Sequence, residues 1–155
     1  MINIITNLEK VSDKKVIRDA SSFLNLNVLV QDFDELDLYA MSKIDKAKLL
    51  DKNIGTIQTP FGITNITNLS MGCKIVLVYL YMRRNIDKYA DYILDITECG
   101  SNALEVLFEC MDKLGDSSVV LLLRHSDGIE LCTDREFAIN GNNCTHLAAG
   151  VALYG

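Results

Sequence analysis

Nucleophilic thiol chemistry needs an activated cysteine, a base within hydrogen-bond reach and a group that orients the base. In this chain Cys99, His125 and either Asp127 or Asp95 suit those roles. Cys99 sits in Tyr92–Leu114, YILDITECGSNALEVLFECMDKL, where an apolar strand pattern passes through a Cys-Gly corner into a helix pattern. A thiol at a helix N-terminus feels the positive end of the macrodipole, which favours the thiolate. The amides of Gly100 and Ser101 are then placed to stabilise an oxyanion. Against catalysis, Glu98 beside Cys99 opposes ionisation, and His125 ahead of Asp127-Gly128 also reads as a surface hairpin residue. Cysteine is moreover a common small core residue. The structural reading of these residues is preferred, and catalysis is the alternative.

A second constellation is acidic. No Lys or Arg falls between Asp19 and Ser42, whereas Asp32, Asp34, Glu35 and Asp37 lie close together in QDFDELDLY. Acids in a first helical turn complement the dipole, so a solvated helix start is the plainer reading. The sharper one is a docking rim, because Phe33, Leu36 and Tyr39 are interleaved with the acids at helical spacing. For metal, Cys132, Cys144 and His146 are the only grouping, and their spacing matches no common zinc pattern, so no metal site is assigned. No Gly-rich loop or Walker-type lysine is present, and no cofactor is expected.

These residues need elements to position them. Tyr92–Ile96 suits a strand; Asn102, with Glu105 three residues on, suits the cap of a helix whose apolar residues Ala103, Leu104, Val106, Leu107, Cys110, Met111 and Leu114 share a face. Gly115 is placed to end it. Val119–Leu123 reads as a strand covered on both faces, which makes a βαβ unit with Cys99 and His125 just past the carboxyl ends of its strands, the edge where open α/β sheets place ligands. Elsewhere, Met1–Thr6 predicts a first strand, Ser12 a cap for a helix carrying Val16, Ile17, Ala20, Phe23 and Leu24, and Ser42–Lys52 a further short helix of mixed charge. Ile54–Thr59 alternates weakly and leads into a turn at Thr59-Pro60-Phe61-Gly62. Ile63–Ser70 predicts irregular or edge structure. The β-branched and aromatic run Ile75–Met82 predicts a central strand. Asp127-Gly128 and Asn140-Gly141 are hairpin signals, which return Ile129–Thr133 antiparallel to Val119–Arg124 and add antiparallel strands to the C-terminal third. Leu147–Tyr154 predicts a closing helix or strand.

Length and composition bound the rest. At 155 residues and 49% hydrophobic, the chain suits one domain over residues 1–155, with one core. Its longest apolar run, Ile75–Met82, is far short of a membrane span, and no basic region with a hydrophobic stretch opens the chain, so a soluble, unsecreted protein is expected. The five cysteines form no CxxC pair, and their odd number fits reduced thiols and a cytoplasmic location. A formal charge of −6 argues against non-specific nucleic-acid binding and favours a protein partner with a basic surface.

Gly72-Cys73-Lys74 before the apolar run, and Cys99-Gly100 with Asn102 opening a helix and His125 ending the next strand, resemble a small bacterial family of unknown function. The resemblance covers the C-terminal half and implies no activity. The sequence therefore predicts an α/β or α+β domain with a mixed sheet, one βαβ unit, C-terminal antiparallel hairpins and helices packed on the sheet. The expected function is that of a small acidic protein that binds another macromolecule without catalysis, for instance an immunity or anti-defence inhibitor. The alternative is a thiol-dependent hydrolase or transferase using Cys99 and His125.

Overall fold

A computed structural model describes residues 2–5, 15–85, 92–96, 98–115, 120–122, 130–131, 137–140 and 151–152. Five strands lie side by side in the order β2 (Lys15–Ile17), β6 (Tyr92–Asp95), β7 (Val120–Leu122), β1 (Ile2–Ile5) and β9 (Phe137–Asn140). Every neighbouring pair is parallel. Helix α4 (Ser101–Lys113) connects β6 to its parallel neighbour β7, which is the βαβ unit that the sequence implies. A separate antiparallel sheet is built from β3 (Lys48–Asp51), β4 (Thr56–Thr59) and β5 (Gly62–Asn65). Two residues of β8 (Glu130–Leu131) pair antiparallel with β10 (Val151–Ala152). The class is α/β, and the antiparallel strands form sheets of their own rather than extending the parallel one.

Helices α1 (Ala20–Asn27), α2 (Glu35–Asp45) and α4 surround α3 (Met71–Asn85). The segment Ile75–Met82 is thus the middle of the central helix and not a strand. Its neighbours on three sides are helices, so an apolar residue is needed at almost every position, and the run loses the amphipathic period that marks a helix. All of Ile75–Leu80 is buried, as is Met82. Ser70 caps this helix by accepting from the Cys73 amide at 3.3 Å, and Asp45 at the end of α2 holds Ser70 through its amide at 2.7 Å and its hydroxyl at 2.6 Å. Packing is closest at Gly72, where an added Cβ would stand 2.6 Å from the Ala103 Cβ of α4. On α4 the apolar face buries Leu104, Leu107 and Met111 as expected and Phe108 in addition, each worth about 1.5–3 kcal/mol relative to exposure.

Several boundaries differ from the sequence expectation. Val16 and Ile17 belong to β2, and α1 starts after Asp19, whose carboxylate accepts from the Ser22 amide at 3.1 Å. The Ser12 cap falls outside the described residues. Asn102 does not cap α4: Gly100 in extended conformation does, with no side-chain bond, and the Asn102 amide instead reaches the Lys43 carbonyl at 3.5 Å. Ser42–Lys52 is not one helix. Helix α2 stops at Asp45, Lys46 takes a left-handed conformation with φ of 51°, and β3 follows. The turn at Thr59–Gly62 is present, with the Phe61 amide donating to the Thr59 hydroxyl at 3.1 Å, and β5 is an edge strand. β7 has β6 and β1 on its two sides, which leaves no place for Ile129–Thr133 to pair with it. Phe137–Asn140 joins β1 in parallel, and the residues after Asn140 that would complete the expected hairpin lie outside the described residues. Of Leu147–Tyr154, Val151 and Ala152 form a strand.

Candidate functional site

Two acids of the segment, Asp34 and Asp37, have structural tasks. Asp34 is the N-cap of α2 and accepts from the amides of Leu36 at 3.0 Å and Asp37 at 3.3 Å, while Asp37 accepts from the Asp34 amide at 2.9 Å; this is a complete capping box. Asp37 is 0% exposed and bonds Arg84 at the end of α3. Arg84 also lies 3.7 Å from Asp34. Burial pushes the Asp37 carboxyl up to about 7 despite the guanidinium. Phe33 is buried in the core and Leu36 is half-buried. Asp32, Asp34 and Glu35 of the expected rim face solvent, while Asp37 is drawn into an internal clamp with Arg84 between α2 and α3.

Cys99 does lie past the carboxyl end of β6 and one residue before the Gly100 cap of α4. Its amide donates to the Ile96 carbonyl at 3.0 Å, and its sulfur is 3.9 Å from where a Cβ on Gly72 would stand, so it is wedged at the start of both α3 and α4. It is 5% exposed, and burial pushes its thiol up to about 12. Against the thiolate expected at a helix end stands this desolvation, which disfavours the charged form. Glu98 is exposed and Asp95 is buried at the end of β6. His125, Asp127, Cys132, Cys144 and His146 lie outside the described residues. Among the described residues no three His, Cys, Asp or Glu side chains gather as a metal site. No helix among them is long and apolar enough to cross a membrane.

The exposed chemistry is elsewhere, on the small antiparallel sheet. In register, Lys48, Gln58 and Ile63 stand opposite one another and face outward, whereas Leu49, Ile57 and Thr64 turn inward, with Ile57 fully buried. Phe61 at the tip of the β4–β5 turn is 98% exposed and Ile63 is 69% exposed. Together with Pro60 and with Ile44 of α2 they border a hollow of about 700 Å³. A second hollow, of about 550 Å³, lies between α2 and β3. Sequence reasoning missed both. The one available signal was an aromatic residue in the Thr59-Pro60-Phe61-Gly62 turn, where polar residues usually stand.

The chain matches no family model, no curated protein and no solved structure.

Proposed function

We propose that this chain is a non-catalytic protein that binds another protein through its three-stranded sheet. The observation that carries this reading is the exposure of Phe61 and Ile63 on a hairpin beside an open hollow, away from the parallel sheet. Large apolar side chains held together at the surface mark contact sites, and aromatic anchors contribute much of the energy of such contacts. An inhibitor of the immunity or anti-defence kind would use such a surface to cover its target. The partner's matching surface has an apolar centre rather than the basic face that net charge alone suggested. A photo-crosslinker placed at position 61 should trap one specific partner from the native cell, and Ile63→Asp in the same protein should abolish the adduct without shifting the thermal midpoint. A cross-link pattern unaffected by Ile63→Asp would refute the reading.

A thiol-dependent hydrolase or transferase is the second reading, favoured by one observation: Cys99 follows a strand in the interior of a parallel sheet, at the edge where such sheets bind ligands. That reading requires the covered thiol to open to solvent. Brief iodoacetamide treatment of the native protein followed by peptide mapping separates the two. Binding alone predicts that Cys99 is alkylated only after denaturant is added; alkylation of Cys99 ahead of Cys73 and Cys110 near neutral pH would transfer the weight to catalysis.

A further inference from the structure

The hollow between α2 and β3 is lined by half-buried Leu38 and Leu49, by exposed Leu50, and by Lys46, Lys48 and Lys52. In a chain of formal charge −6, three lysines around one concavity need explaining, and the nearby acids do not neutralise them. Asp45 is turned onto Ser70, and Asp51 accepts from the Asn53 amide at 2.8 Å. Arg84 and Lys113 form ion pairs, and none among the described residues involves these three lysines. Lys46 is moreover held in a left-handed conformation that a lysine adopts only at a cost. Among the described residues, the strand beside the hollow, β3, is paired on one side only, with β4.

From these observations we infer that β3 takes an extended acidic segment of a protein partner as an added strand, its carboxylates on Lys46, Lys48 and Lys52 and its apolar side chains on Leu38, Leu49 and Leu50. Strand addition supplies main-chain bonds for affinity and uses alternate side chains for selection, which fits a hollow lined by both lysines and leucines. Nucleic acid fits poorly, because single strands stack on aromatic rings and none lines this hollow. Lysines on a sheet edge also serve simply to prevent edge-to-edge association, and that is the outcome to test against. The inference rests on the reading of the small sheet as a binding surface and adds the chemistry of the partner.

Fluorescence anisotropy of the full chain should be measured with a short labelled peptide that alternates glutamate with valine, and with the same peptide carrying lysine in place of glutamate. The glutamate peptide should bind at least about tenfold more tightly, and its binding should weaken at high salt. The triple variant Lys46→Gln, Lys48→Gln and Lys52→Gln should lose it, with circular dichroism and the thermal midpoint confirming the fold. Methylating alternate peptide nitrogens, which keeps every charge but removes strand pairing, should abolish binding as well. Equal binding of the two peptides, an unchanged isotherm in the triple variant, or full binding of the methylated peptide overturns the inference. So does preferential binding of oligothymidylate or phosphatidylserine vesicles, or a triple variant that merely self-associates. Loss of the cross-link at position 61 with an intact peptide isotherm would refute the apolar contact alone, and the reverse result would refute the acidic strand alone.

Discussion

Single residues of QDFDELDLY carry structural tasks that are separable by substitution. Asp34 satisfies two amides at the start of α2, which would otherwise be orphaned at the first turn. Asp34→Ala should therefore cost about 1–2 kcal/mol, measured by urea unfolding, and an unchanged midpoint would dissociate the cap from stability. Asp37 gives a different signature. Its carboxyl is raised to about 7 in the fold by burial, so the native state holds the proton more tightly than the unfolded chain does. The stability associated with that proton is fully present below the ordinary carboxyl value of about 4 and is lost as pH rises through about 7. Asp37→Asn should remove this slope, so that thermal midpoints of the two proteins diverge across that window and run parallel outside it. Parallel curves throughout would show that Arg84 holds the carboxylate charged at all these pH values.

Among the elements, the two α-helices that frame Cys99 are set by one glycine. With the Ala103 methyl so close, Gly72→Ala must push α3 from α4, and the expected loss is about 1–3 kcal/mol even though alanine is the better helix former. A gain in stability instead would mean that the two helices can part freely at this point. Elements were legible where a local device marked them: the apolar face and terminal glycine of α4, the Thr59–Gly62 turn, the acids opening α2, and the parallel pair β6–β7. They were illegible where tertiary surroundings overrode local preference. Ile75–Met82 carries strand-forming residue types but is helical because other helices enclose it, and only its extension to Asn85 would have argued for a helix by length. Lys46, Lys48 and Lys52 fall at the end of α2, in β3 and in the turn after it, but the mixed charges of Ser42–Lys52 suggested a single helical face. Which acids turn toward Ser70 and Asn53, leaving the lysines unpaired, is decided by folding and cannot be read from the order of residues. The place of Cys99 at a strand end was legible; its burial depends on α3, which the sequence had suggested was a strand.

Taken as a whole molecule, the parallel sheet joins segments far apart in the chain. β1 is paired on one side with residues 120–122 and on the other with residues 137–140. A proline there removes an amide from a strand with neighbours on both sides, so Ile4→Pro should lower the thermal midpoint of the entire protein and not merely fray its beginning. Loss of signal confined to the first residues in hydrogen exchange, with the global midpoint kept, would refute that expectation. The same seating of β1 has a consequence for the order of events at synthesis. The four α-helices of the described residues and the small sheet lie between residues 20 and 113 and can collapse as soon as they leave the ribosome, whereas β1 must wait for the residues that flank it. Until residue 122 has emerged β1 lacks both neighbours, and until residue 140 it lacks one, so a half-finished sheet persists that long-range pairing makes slow to resolve and prone to misassociate.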